Sequence, residues 1–177
     1  MIKKGVRIAG GCCGTTPEYI RLLSEKAENI SIKPETEKNI TFVSSYTHAV
    51  IFGDSPVLIG ERINPTGKKR FKEALKNNDI DYILQEGINQ QEKNVHILDV
   101  NVGLPEIDEA KMLNTAVFEL QSVVDLPLQI DTSDPYAMEC ALRIYNGKAM
   151  INSVNGKEES MRSIFPLVKK YGGALVA

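Results

Sequence analysis

The chain has 177 residues, 42% of them hydrophobic and 25% charged, with a formal net charge of -2. This is the composition of one globular domain or slightly more, too apolar and too evenly charged for a disordered tail. No apolar run approaches the ~20 residues that span a bilayer, and the opening Met1-Ile2-Lys3-Lys4-Gly5 lacks the ~7–15-residue apolar stretch of a signal peptide. With 6% aromatics and near-zero net charge, an open nucleic-acid surface is excluded as well. Three cysteines without a secretory signal fit a reducing cytoplasm, not a disulfide framework.

Taken in chain order, short apolar runs alternate with amphipathic helices, the pattern of an α/β fold with a parallel sheet. A first strand is expected at Val6–Ala9. A helix follows, opened by Thr16 as cap, Pro17 in the first turn and Glu18 beside it, and running to about Glu28. Asn29 to Ser55 is rich in Ser, Thr, Asn and Lys, with weak periodicity. It reads as a linker in which Ile40–Val43 can pair locally.

Further strands are expected at Val57–Gly60, His96–Val100, Leu128–Asp131, Ala149–Ser153 and Ala174–Ala177. Their short, continuous apolar character predicts burial on both faces. Between them, Ile80, Ile83, Leu84 and Ile88 form one helical face, and Met112, Leu113, Ala116, Val117, Leu120 and Val124 a second. A third helix starts at Asp134-Pro135, turns Met138, Ala141, Leu142 and Tyr145 inward, and stops at Asn146-Gly147. A fourth carries Met161, Ile164, Phe165 and Val168, kinked at Pro166 and ended by Gly172-Gly173. Roughly 120 residues of such units fall short of the ~250 of a closed eight-fold barrel. The expectation is therefore a small open sheet or the first half of a barrel, and the strand at Ala174–Ala177 favours the latter.

Polar residues stand at the C-terminal ends of successive strands: Glu61 and Asn64, Asp99 and Asn101, Asp131 with Thr132-Ser133-Asp134, and Asn152-Ser153. In a parallel α/β fold these ends converge on the ligand-binding face. Asp134, directly before Pro135, reads as a helix cap. Acids and amides with few cations suit a neutral heterocycle, because one carboxylate can bind a ring N–H and its neighbouring amine together. Gly10-Gly11-Cys12-Cys13-Gly14 is glycine-rich but has neither the lysine nor the spacing of a phosphate loop. Cys12 and Cys13 could bind zinc from one loop, given a third ligand; a vicinal disulfide would close a strained ring. Cys140 reads as a packed small hydrophobe, His48 and His96 as bland, and Lys68-Lys69-Arg70-Phe71-Lys72 as a solvated helix start or a rim attracting an anionic tail.

Three stretches in order resemble the cobalamin-dependent methionine synthase family. Gly10–Pro17 looks like the last strand-to-helix turn of its homocysteine-binding barrel, and Gly60–Gly67 like the opening of its pterin-binding barrel. Ile97–Gly103, Ile130–Ser133 and Ile151–Gly156 look like the next strand ends of the latter. The pterin stretches are also similar to dihydropteroate synthases and corrinoid-protein methyltransferases; Cys12-Cys13 ahead of them is what separates the families. The resemblance implies an incomplete (β/α) TIM-type barrel: residues 1–30 as the end of a homocysteine-binding domain, 31–54 as linker, and 55–177 as the N-terminal half of a pterin-binding domain. It implies methyltetrahydrofolate as substrate, held by Glu61, Asn64, Asp99, Asn101, Asp131, Asn152 and Ser153. Asn152 would serve catalysis near N5, where a neutral amide can donate or accept as the methyl leaves. Cys12 and Cys13 match two of three zinc ligands. Cobalamin would be carried by a further module of a parent protein, the folate and that module being the only partners. A non-catalytic truncated piece is the alternative that lies outside enzymes.

Overall fold

The computed structural model describes residues 2, 5–31, 39–53 and 55–177. The chain divides into two compact units, Met1–Asn39 and Ile40–Ala177. Among the described residues no helix is long and apolar enough to cross a membrane.

The first unit is built on α1 (Pro17–Glu28). The Thr16 hydroxyl accepts from the Tyr19 amide at 3.4 Å and Pro17 opens the first turn, which satisfies one orphan donor and fixes one φ in advance. Arg21 bonds Glu18 and Glu25 one turn to either side. Residues 6–9, expected as a strand, are not one. Among the described residues the first unit contains no second strand, and an extended segment becomes a strand only by sharing a hydrogen-bond ladder. Ile8 accordingly stands 91% exposed.

The second unit opens on an antiparallel hairpin, β1 (Thr41–Ser44) and β2 (Ala49–Phe52), inside the stretch expected as linker. Five parallel strands follow in spatial order identical to chain order: β3 (Ile59–Ile63), β4 (Ile97–Val100), β5 (Leu128–Asp131), β6 (Met150–Asn152) and β7 (Ala174–Leu175). Five helices accompany them: α2 (Lys69–Lys76), α3 (Ile80–Gln91), α4 (Glu109–Val123), α5 (Pro135–Ile144) and α6 (Glu158–Tyr171). This is the wound βα order of a barrel, and among the described residues it does not close. Each helix after α2 falls where its apolar stripe requires. Leu98, Val100, Leu128 and Ile130 on the strands join Met112, Leu113, Ala116, Leu120, Met138 and Ala141 on the helices in one buried core.

The basic run Lys68–Lys72, expected as a solvated helix start, does open α2, and Phe71, Ala74 and Leu75 are buried at helical spacing on its inner face. Three helices have acidic caps: Asp79, Asp108 and Asp134 accept from Tyr82, Lys111 and Tyr136 amides at 3.1, 3.0 and 2.9 Å. Helix α6 continues through Pro166 and ends on Gly172 at φ 69°, a left-handed turn that suits glycine.

Two local devices position the strand ends. Strand β3 carries a bulge: Gly60 pairs with Leu98 and Ile63 with Val100, so Glu61 and Arg62 together face Asp99. The Arg62 amide donates to Gln90 Oε1 at 2.9 Å, while Gln90 Nε2 is tied to the Glu86 carbonyl at 3.1 Å. Gly60 is what admits this buried amide, since a Cβ there would stand 2.5 Å from Gln90 Oε1. The second device is the hairpin, which is stitched to the N-terminal ends of β5 and β6. Ser44 exchanges backbone hydrogen bonds with Lys148 at 2.9 and 3.0 Å. The Tyr145 hydroxyl donates to the Ser44 carbonyl at 2.8 Å and accepts from the Leu128 amide at 3.0 Å.

Candidate functional site

Alternation along a strand sends every second side chain to the same face. Leu98 and Val100 face the helices, so Asp99 and Asn101 point the other way. On β5, Gln129 and Asp131 do the same. Register pairs Asp99 with Gln129, and Asp131 with Asn152. The result is two polar layers, Asp99–Gln129 below and Asn101–Asp131–Asn152 at the C-terminal rim.

In the upper layer, Asn101 Nδ2 donates to Asp131 Oδ2 at 2.8 Å, and Asn101 Oδ1 accepts from the Gly103 amide at 2.9 Å. Asn101 thus fixes the carboxylate with both ends of its amide in use. Asp131 is partly buried, and its carboxyl is held above the ordinary range by that burial, with Glu61 adding repulsion and Asn101 opposing it. Asp131, Asn152 and Ser153 line an open cleft of about 440 Å³, continued by Thr132, Asn155 and Lys157.

In the lower layer, Asp99 Oδ1 accepts from the Gln129 side-chain amide. Asp99 is 2% exposed, and its Oδ2 is buried with no hydrogen-bond partner among the described residues. Burial raises its pKa to about 7; the Gln129 donor opposes the shift, Asp131 and Glu61 reinforce it, and Asn152 weakly opposes it.

At the β3 end, Asn64 is buried. It donates to Glu61 Oε1 at 3.2 Å and accepts from the Thr66 amide at 2.8 Å. Lys68 turns back so that its ammonium donates to the carbonyls of Glu61 and Asn64 at 2.8 and 3.3 Å. Asn64 and Lys68 therefore order the turn that carries Glu61. Lys68 is committed to this loop, which removes it from the basic run expected to attract an anion.

Six of the seven rim residues expected from the sequence are tied by electrostatic or hydrogen-bond contact or by the common cleft, and Asn64 joins them through Glu61. Gln129 and Glu109 were missed. Gln129 follows from period-two reading, being two residues before Asp131 on the same face. Glu109, which accepts from the Thr132 hydroxyl, has no sequence signal beyond its place in a helix first turn. Asp134 is a cap, as its position before Pro135 implies.

In the first unit, Cys12 and Cys13 are exposed free thiols with Sγ atoms 4.0 Å apart. Thr15 Oγ1 accepts from the Cys12 amide at 2.9 Å and Gly14 adopts φ 82°, so the pair sits on a tight turn. No group of three or more His, Cys, Asp or Glu side chains suited to a metal forms among the described residues.

The sequence model described as pterin binding enzyme matches residues 60–177, and the one described as homocysteine S-methyltransferase matches residues 1–27. Methionine synthase of Mycobacterium leprae (strain TN) is 31% identical over 185 residues, covering 98% of this chain and 15% of that protein. Methionine synthase of Mycobacterium tuberculosis (strain ATCC 25618 / H37Rv) is 32% identical over 181 residues, with the same coverage. The chain thus spans 15% of the length of these relatives.

Proposed function

We propose that this chain, which belongs to the pterin binding enzyme family, supplies one side of the pterin site of a methyltransferase that moves the N5-methyl of methyltetrahydrofolate toward homocysteine. The observation that carries the reading is the rim trio: Asn101, Asp131 and Asn152 on three adjacent parallel strands, with the last two lining one cleft. Asp131, oriented by Asn101, is the acceptor for a ring N–H and its neighbouring amine. Asn152 lies beside Asp131 on the neighbouring strand, lining the same cleft, where an amide can follow the change at N5 from a methylated to a free nitrogen. Glu61 and Asp99 surround this pair, and Ser153 extends it. The dihydropteroate-synthase and corrinoid-protein alternatives are less favoured, since the homocysteine S-methyltransferase match at residues 1–27 precedes the pterin unit. In this reading residues 1–30, 31–54 and 55–177 are the end of one domain, a connection and the start of the next, and the chain works in the cytoplasm within a larger methyltransferase.

The Cys12–Cys13 pair fits two corners of a tetrahedral zinc site, because two thiolates at ~2.3 Å from one ion lie roughly 3.8 Å apart. Zinc bound there would supply Lewis-acid activation of a substrate thiol. Cys12 and Cys13 would hold it and Gly14 would let the backbone turn beneath it, with a third ligand coming from the parent protein. The corrinoid acceptor belongs to a separate module, and no cobalamin ligand is assigned to this chain.

The test is titration of this chain with methyltetrahydrofolate, monitored by calorimetry, alongside Asp131→Asn. Saturable binding that the substitution weakens supports the reading. Equal affinity for both proteins, or no binding by the parent enzyme that contains this segment, sinks it.

A further inference from the structure

Asp99 is the only carboxylate buried among the described residues. It lies one layer beneath Asp131 and Asn152, too deep to be the first group a ligand meets. Its Oδ1 is occupied by Gln129, and its Oδ2 is enclosed without a partner. Every element around it can be named. Strand β3 brings Glu61 and, beside it on the bulge opposite Asp99, Arg62; β5 brings Asp131 and the neutral Gln129, and β6 brings the neutral Asn152. Helix α4, on the far face of β4, presents Met112, Leu113 and Ala116, all apolar. The two charges that act on its titration are both acids, and burial also disfavours a charge.

We propose that Asp99 is a positioning residue that stores a proton beneath the rim, so that Asp131 alone carries the negative charge that meets the pterin, and that pterin binding weakens as Asp99 ionises. This deepens the pterin reading and rests on it. With Oδ1 accepting from Gln129, the proton belongs on Oδ2. When it leaves, the Oδ2–H bond breaks, water or buffer accepts the proton, and a second charge appears beside Asp131. That charge raises the pKa of Asp131 further, so that Asp131 is more readily protonated and then cannot accept both donors, and it leaves the ligand covering two like charges whose hydration it removes. Ligand binding above the titration point therefore takes a proton up from solvent. The direction separates the two acids. If Asp131 were the group that titrates, binding would strengthen as pH rises, because only the carboxylate accepts both donors.

Two measurements decide this. The first follows the aspartate side-chain ¹³C resonances of this chain, without ligand, from pH 4 to 9. A buried resonance titrating near pH 7 and absent from Asp99→Asn is expected. An Asp99 resonance with a midpoint below about pH 5 overturns the proposal. The second measures tetrahydrofolate affinity at pH 6, 7 and 8. The unmodified chain should bind about tenfold more weakly at pH 8 than at pH 6, and Asp99→Asn, whatever its affinity at pH 6, should lose that slope. A slope that survives in Asp99→Asn, or one of opposite sign, overturns the proposal. Absence of folate binding at every pH would instead remove the pterin reading, and the resonance titration would still decide whether Asp99 stores a proton. That titration uses the unmodified chain, so misfolding of Asp99→Asn does not leave the question open.

Discussion

Asn101 holds Asp131 by a 2.8 Å hydrogen bond from its Nδ2 across adjacent strands, while its own Oδ1 is held by the Gly103 amide. The carboxylate is thereby aimed by an amide that cannot rotate without breaking a second bond. Asn101→Ala removes the one neighbour that lowers the Asp131 pKa. Asp131 should titrate higher, and folate affinity at pH 7 should fall roughly five- to tenfold, about 1–1.5 kcal/mol. Calorimetric titration checks this; unchanged affinity would mean that Asp131 is aimed by its strand alone.

Asp131→Asn and Asn152→Ala should separate binding from transfer. Replacing an acceptor by a donor at Asp131 should cost about 1.5–3 kcal/mol, or roughly ten- to 150-fold in affinity. Asn152→Ala should slow methyl transfer more than it weakens binding, since only interactions stronger in the transition state raise the rate. Single-turnover transfer to free cob(I)alamin, measured in the parent enzyme, reads both. Equal losses of rate and affinity in Asn152→Ala would confine Asn152 to binding.

The raised pKa of Asp99 has a sign for stability. The folded protein holds this proton up to about pH 7, whereas an unfolded aspartate releases it near 3.9. Stability should therefore be lost between about pH 4 and 7 as the pH rises, by roughly 4 kcal/mol at most. Asp99→Asn should remove that component, so the gap between the two proteins in thermal midpoint should move in the variant's favour from pH 5 to pH 8. Parallel midpoints across this range would contradict it.

Gly60→Ala should destabilise the β3 bulge. The new methyl meets Gln90 Oε1 at 2.5 Å, and Gln90 is pinned at both ends of its amide. Displacing it strands the Arg62 amide, a loss of about 1–3 kcal/mol. Urea denaturation measures it, and a neutral result would show that the amide finds water.

Tyr145→Phe removes a hydroxyl that donates to Ser44 and accepts from Leu128. Burial pushes this phenol up to about 12, so it remains a donor across the physiological range. Hydrogen exchange should show faster exchange at the Leu128 amide and along β1, with the α3–α4 core unchanged. Uniform protection would mean that the Ser44–Lys148 ladder suffices.

The helices α3 to α6 were legible because a stripe of period 3.6 is a local fact of sequence, as is the Asp134-Pro135 cap that opens α5. The rim was legible because strand ends in a parallel sheet must share one face. Helix α2 was legible only as a basic helix start, because Lys68, Lys69, Arg70 and Lys72 mask its three buried apolar residues, Phe71, Ala74 and Leu75. Residues 6–9 look like a strand from their apolar alternation, but a ladder needs a second strand, and no single segment encodes one. The proton of Asp99 was equally out of reach. Asp99 and Gln129 are 30 residues apart, and burial is a property of the assembled sheet.

The Ser44–Tyr145 bond joins residues 101 positions apart. The hairpin can close on its own soon after it is made, within microseconds, and its turn can meet Asp125 through Ser45 and Tyr46, but Ser44 has no ladder partner until α5 and β6 exist. On the ribosome, β1 and β2 emerge ahead of the parallel sheet and must wait for α5 and β6 to follow before the Ser44 ladder can form. Docking is thus a late event with a large loop to close. Substitutions at Ser44 or Tyr145 should change mainly how fast the finished protein unfolds, and leave the rate at which the sheet assembles nearly unaltered.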